Sequence, residues 1–125
     1  MSNVNIRYIV SNVDEAIPFY ERLGFSVDMH PAPGFARLLR GDLALLLNTP
    51  GGGGGAGQSS NAGNAPEPGG WNRFQIEVPD LDATMGDLRS NGLRIRTDIV
   101  QGNSGRQAVI EDPSGNPVEL FEPRR

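Results

Sequence analysis

Arg73, Gln75 and Glu77 recur at every second position of a short alternating run, and Asn5 and Arg7 do the same near the start of the chain. Residues spaced by two share one face of a strand. Each run therefore lines up guanidinium and amide donors, an arrangement suited to holding the carbonyl, phenol or carboxylate oxygens of a small molecule. Other chemistries are poorly supplied. The absence of cysteine removes thiolate nucleophiles, thiolate metal sites and disulfides. His30, the sole histidine, falls in Met29-His-Pro-Ala-Pro-Gly34, which reads as a turn, and no Ser/His/Asp or Cys/His set accompanies it. There it is either solvated or in reach of a ligand at the mouth of a site. The run Gly51 to Gly55 lacks the Gly-Lys-Ser/Thr ending and following helix of a phosphate loop. Trp71, the only tryptophan, stands just before the second donor run, and Phe35 sits on a Pro/Gly turn. Both lie off the helix core stripes, so they serve either as stacking walls for a flat ligand or as the seal of a dimer interface.

The donor runs belong to a repeated unit. The segment from Val10 to Val27 is echoed 68 residues later from Val78 to Ile95, with Val10/Val78, Asp14/Asp82 and Gly24/Gly92 identical. In the first copy a strand over Asn5–Val10 leads to Asn12 as helix cap, with Glu15 completing a capping box. The spacing predicts a helix from Val13 to Leu23 that buries Ala16, Phe19, Tyr20 and Leu23, is distorted locally at Pro18, and stops at Gly24. Strands over Phe25–Met29, Ala36–Arg40 and Leu43–Asn48 follow. In the second copy the strand spans Arg73–Val78, Asp80 caps a helix ending at Gly92, and strands fit Leu93–Thr97, Gln107–Glu111 and Pro117–Glu122. Unit 1 thus covers about residues 3–49 and unit 2 about 71–123. Between them, residues 50–70 have the Gly-rich composition of a flexible linker, read as a spacer or a flap over a site.

The 125-residue length suits a single domain, and neither half is large enough to be comfortable alone. A net charge of −4 argues against nucleic acid or an anionic membrane as partner. No segment approaches 18 apolar residues and the start lacks the apolar run of a signal peptide, so a soluble, cytoplasmic protein is expected.

The paired β-α-β-β-β units, the phrase Val-Asp-Glu-Ala-Ile-Pro-Phe-Tyr-Glu-Arg-Leu-Gly-Phe at 13–25 and Asp112-Pro-Ser-Gly-Asn-Pro-Val-Glu-Leu120 together resemble the vicinal oxygen chelate superfamily. That superfamily includes glyoxalase I, extradiol dioxygenases, fosfomycin-resistance enzymes and bleomycin-resistance proteins. The resemblance covers the chain outside the linker. It implies an α+β fold in which two tandem βαβββ units form curved mixed sheets around a cup-shaped crevice, in a homodimer with shared or swapped units. In the superfamily's enzymes it implies four inward-facing His or Glu metal ligands, one from the first and one from the fourth strand of each unit. Those positions fall here on Asn5, Leu46, Arg73 and Glu119. Only Glu119 is a ligand type, and an arginine repels a cation, so neither a metal nor another cofactor is expected. Glu119 then needs a positive partner, and Arg73 is the simple one. Phe121 shares the inward face of Glu119, and Asn48 that of Leu46, so these join Asn5, Arg7, Phe35, Trp71, Arg73 and Gln75 as candidate ligand contacts.

A metal-free cup with aromatic walls points to a binder of the bleomycin-resistance type, which captures an aromatic natural-product antibiotic and protects by sequestration. The alternative is a metal-free lyase, isomerase or epimerase, with Glu119 or Glu77 as base and Arg73 or Arg7 stabilising an enolate. An adjacent guanidinium stabilises Glu119 as the anion, which leaves Glu77 as the better base. A regulatory protein that binds a metabolite is a third reading.

Overall fold

The computed structural model describes residues 4–51, 56, 57, 63 and 65–124. The spacer or flap expected at 50–70 lies in part (residues 52–55, 58–62 and 64) outside the described residues. The chain divides into two compact units, residues 1–69 and 70–125.

Unit 1 contains β1 (Asn5–Ile9), α1 (Val13–Arg22), β2 (Ser26–Ala32), β3 (Phe35–Arg40) and β4 (Leu43–Asn48). The sheet order is β1-β4-β3-β2, with β1 parallel to β4 and the other pairs antiparallel. The parallel pair needs a long crossover, and α1 with the β2–β3 hairpin supplies it. Asn12 caps α1 as expected, its side chain accepting the Glu15 N–H at 2.9 Å. Gly24 ends the helix at φ 96°, a conformation that any Cβ would strain. α1 runs without interruption through Pro18. Val13, Ala16, Phe19, Tyr20 and Leu23 are buried, and the Tyr20 ring meets Phe19 and Phe25 edge-on at 4.9 and 5.6 Å. Ala36, Leu38, Leu45 and Leu47 complete this core from alternate positions of the sheet.

Unit 2 repeats the plan with β5 (Gln75–Glu77), α2 (Leu81–Ser90), β6 (Arg94–Gln101), β7 (Gly105–Glu111) and β8 (Pro117–Pro123), in sheet order β5-β8-β7-β6. Asp80 caps α2 by accepting the Ala83 N–H at 3.0 Å. Leu81, Met85 and Leu88 are buried, as are Ile76, Ala108, Ile110, Val118 and Leu120 of the sheet. The repeat extends to the irregularities. In β2 the register shifts between Val27 and Met29 and again between Met29 and Ala32; in β6 it shifts between Ile95 and Thr97 and between Thr97 and Val100. These positions differ by the same 68 residues as the sequence echo. Such bulges insert an extra residue and turn its side chain away from the regular alternation.

The bulges correct several strand limits. β2 reaches Ala32, so His30 lies on an edge strand and not in a turn, and Pro31 is tolerated because an edge position needs no ladder donor. Phe35 opens β3 and does not sit on the preceding turn. β6 extends to Gln101 where the sequence suggested Thr97, while β5 is only three residues long and leaves Arg73 ahead of it. No helix among the described residues is long and apolar enough to cross a membrane.

Candidate functional site

In unit 2 the polar face of the sheet is fixed by register. Glu119 lies opposite Gln75 across the parallel β5–β8 pair and opposite Val109 across β7–β8, while Phe121 lies opposite Glu77 and Gln107. Paired residues point to the same side, so Gln75, Glu77, Glu119 and Phe121 share one face. The opposite face carries Ile76, Val118 and Leu120 into the core. The buried Glu119 carboxylate accepts the Arg73 Nε–H at 2.9 Å on Oε1 and the Gln75 amide at 2.6 Å on Oε2. The ion pair expected from the sequence is therefore formed. Arg73 also donates through Nη1 to the Trp71 carbonyl at 3.3 Å. Glu77 is exposed and has no ion pair or side-chain hydrogen bond among the described residues.

Trp71 is 63% exposed and rests on Arg96, whose guanidinium carbon is 4.5 Å from the ring centroid. Arg96 occupies the extra position of the first bulge in β6. Its Nε donates to Glu111 Oε2 at 2.8 Å, Nη2 to the Gly115 carbonyl at 2.8 Å, and Nη1 to the Gly70 carbonyl. The Gly115 carbonyl is in turn held by the Asp112–Asn116 turn. There the buried Asp112 carboxylate accepts the backbone N–H groups of Ser114 and Asn116 at 2.8 and 2.9 Å and the Asn116 side chain at 3.0 Å. Sequence reasoning passed over Arg96. The Arg94-Ile95-Arg96 alternation was visible, but the bulge that turns Arg96 beneath the indole was not.

Unit 1 offers a different face. Arg7 lies opposite Leu46, Leu46 opposite Arg37, and Asn48 opposite both Ile9 and Phe35. Arg7, Leu46, Asn48 and Phe35 thus share a side. Asn5 is on the same side of β1, opposite Ala44. Asn5 and Arg7 are exposed, and neither has an ion pair or hydrogen bond from its side chain among the described residues. Asn48 is 2% exposed, and its Oδ1 has no hydrogen-bond partner among the described residues. At the extra position of the β2 bulge, equivalent to Arg96, stands Asp28, which accepts from Arg37 at 2.8 Å.

His30 is tied on both sides. Its Nδ1 is 2.7 Å from the Phe35 carbonyl oxygen and its Nε2 2.9 Å from Asp14 Oδ1. The hydrogen bond to Asp14, followed by that to the Phe35 carbonyl, raises its pKa above the usual 6.5. His30 therefore serves as a staple from α1 to the β2–β3 hairpin.

The four positions to which the resemblance assigns metal ligands do not fit a metal. Unit 1 offers an amide and an aliphatic side chain at Asn5 and Leu46; unit 2 offers a guanidinium at Arg73 and a carboxylate at Glu119 that is already doubly engaged. Among the described residues no group of three or more His, Asp or Glu side chains is placed to hold an ion.

Residues 4–120 match the model of the Glyoxalase/Bleomycin resistance protein/Dioxygenase superfamily. The chain belongs to this superfamily. It is 30% identical over 126 residues to an uncharacterized protein of Mycolicibacterium smegmatis, covering 98% of this chain and 97% of that one. Among solved structures it is similar to TnmS3, an antibiotic binding protein from Streptomyces sp. CB03234, with TM-score 0.71, 25% identity, and 99% and 98% of the two chains covered. It is also similar to lactoylglutathione lyase from Agrobacterium tumefaciens, with TM-score 0.72, 18% identity, and 97% and 92% covered. The second likeness is one of fold alone. Superfamily membership explains the paired βαβββ units but leaves the reaction open, because one scaffold carries both a binder and a lyase.

Proposed function

We propose that this protein is a metal-free small-molecule binder that captures an aromatic natural product, of the antibiotic class, and acts by sequestration as a cytoplasmic homodimer. The observation that carries this reading is the closure of Glu119 by Arg73 and Gln75 at the position where the superfamily's enzymes place a metal ligand. A carboxylate held by two donors is a poor ion ligand and a poor base, whereas the exposed Trp71 ring and the side-chain donors of Arg73 and Gln75 in the same unit suit recognition of a flat, oxygenated guest. The likeness to TnmS3 supports the same reading.

A thermal-shift screen against planar aromatic antibiotics tests it. A guest present at 100 times its dissociation constant adds about 2.7 kcal/mol of stability. Compounds recovered chemically unchanged support capture, and a screen without any stabilising compound sinks it.

The exposed Glu77 on the face of Glu119, without a side-chain partner among the described residues, favours a second reading: a metal-free lyase or isomerase with Glu77 as general base. Recovery of a bound compound in transformed form at catalytic turnover, lost in Glu77→Gln, would establish that reading in place of the first.

A further inference from the structure

Trp71 is the largest exposed apolar side chain of unit 2, yet it is not loose. Arg96 lies against one face of the indole, and three acceptors, Glu111, Gly115 and Gly70, fix the guanidinium so that its side chain is only 15% exposed. A cation on one face of a π-system disfavours a second cation on the other, because the ring quadrupole is already engaged and the two charges repel. A neutral or anionic ring meets no such opposition. Two residues along the chain from Trp71, Arg73 uses Nε on Glu119 and Nη1 on the Trp71 backbone carbonyl, and Nη2 has no partner among the described residues. The platform therefore has a flat apolar surface and a fixed positive charge behind it, and the guanidinium hydrogen-bonded to its backbone carbonyl keeps a spare donor.

We infer that Trp71, Arg96 and Arg73 form a subsite for the planar ring of an acidic or phenolic aromatic compound, with the ring stacked on Trp71 and its oxygen on Arg73 Nη2, and that this subsite rejects basic aromatics. This inference rests on the capture reading above and narrows its ligand class. Charge discrimination arises from Arg96, whereas Arg73 provides the directional contact. Net charge alone would give the opposite preference, since a chain of −4 attracts cations at long range. The local arrangement and the global field thus make opposing predictions.

The test uses the intact protein and two probes with one ring and opposite charge, 2-naphthoate and 2-naphthylmethylammonium. Trp71 is the sole tryptophan, so one indole N–H resonance reports the subsite. Titration with naphthoate is expected to move that resonance to saturation, and the ammonium probe to bind about fivefold more weakly or not at all. Arg73→Gln should weaken naphthoate, and Arg96→Gln should narrow the gap between the two probes. Because Arg96→Gln removes several contacts and can disturb folding, the wild-type comparison decides alone. Equal affinity for both probes, preference for the cation, or an indole resonance that naphthoate leaves unmoved overturns the inference. If the indole stays still while the antibiotic screen finds stabilising guests, the subsite falls and capture stands; if neither responds, both fall.

Discussion

Leu46 and Glu119 hold equivalent places in their two sheets: Leu46 faces Arg7 and Arg37 across its neighbouring strands, and Glu119 faces Gln75 and Val109. One unit has placed an aliphatic side chain where the other keeps a buried carboxylate that two donors must satisfy. Removing one donor exposes that dependence. Arg73→Ala is expected to destabilise the protein by about 2 kcal/mol, since a charge-assisted hydrogen bond is lost and Glu119 stays behind in a site that is only 9% exposed. Adding Glu119→Gln should recover more than half of the loss. Urea denaturation of the two single variants and the double variant closes the cycle, and additive losses would show that the pair is not coupled.

Asn48 invites the opposite experiment. Its buried Oδ1 has no partner among the described residues, so a similarly sized apolar replacement removes a desolvated acceptor. Asn48→Leu should leave the free protein as stable as before or raise its stability by about 1 kcal/mol. If the candidate site in unit 1 presents this oxygen to a guest, the same variant shows a smaller ligand-induced thermal shift. A variant both less stable and unaltered in ligand response would assign Asn48 a purely structural part.

Most of this frame could be read from residue order. The caps at Asn12 and Asp80 and the stop at Gly24 are local chemistry, and the 68-residue echo carries the duplicated plan in the residue order itself. Arg73 with Glu119 was legible because the resemblance assigned both to one site and an inward carboxylate requires a counter-charge. What escaped was non-local. The reach of β2 past Pro31 is set by pairing with β3, and the place of Arg96 under Trp71 depends on a register shift that no alternation pattern records. His30 was read as a turn residue because Pro and Gly flank it, while the edge position that tolerates Pro31 emerges only from sheet order.

His30 makes the protein sensitive to pH in a definite direction. Only the imidazolium donates from both ring nitrogens, to the Phe35 carbonyl and to Asp14, and its pKa is raised above 6.5 by the Asp14 hydrogen bond first and the Phe35 carbonyl second. A folded-state pKa above the unfolded one means that the added stability is complete below pH 6.5 and is lost as pH rises through the folded value. The chain has one histidine, so one ring resonance in a proton NMR titration reads this pKa directly. Asp14→Asn should bring it back towards 6.5 and reduce the loss of stability across that window. A wild-type ring that titrates at or below 6.5 contradicts the staple.

Gly105 starts β7 opposite Pro123 at the end of β8, and this close approach leaves no room for a side chain. A Cβ built there would drive into the Glu122 carbonyl oxygen and would lie 2.9 Å from Phe121 Cζ and 3.1 Å from the Arg124 nitrogen. Two of these three obstacles are backbone atoms, so a rotamer change cannot relieve them, and the β7–β8 ladder itself must separate. Gly105→Ala is therefore expected to cost about 2 kcal/mol or more, in the range of overpacked sites. The same substitution at Gly86, in α2, meets nothing within 4 Å and replaces a poor helix former. Gly86→Ala should raise stability by about 0.5 to 1 kcal/mol. The pair forms an internal control: thermal melts that respond alike to both substitutions would show that the tight β7–β8 contact is absent in solution, whereas opposite signs would locate it at Gly105.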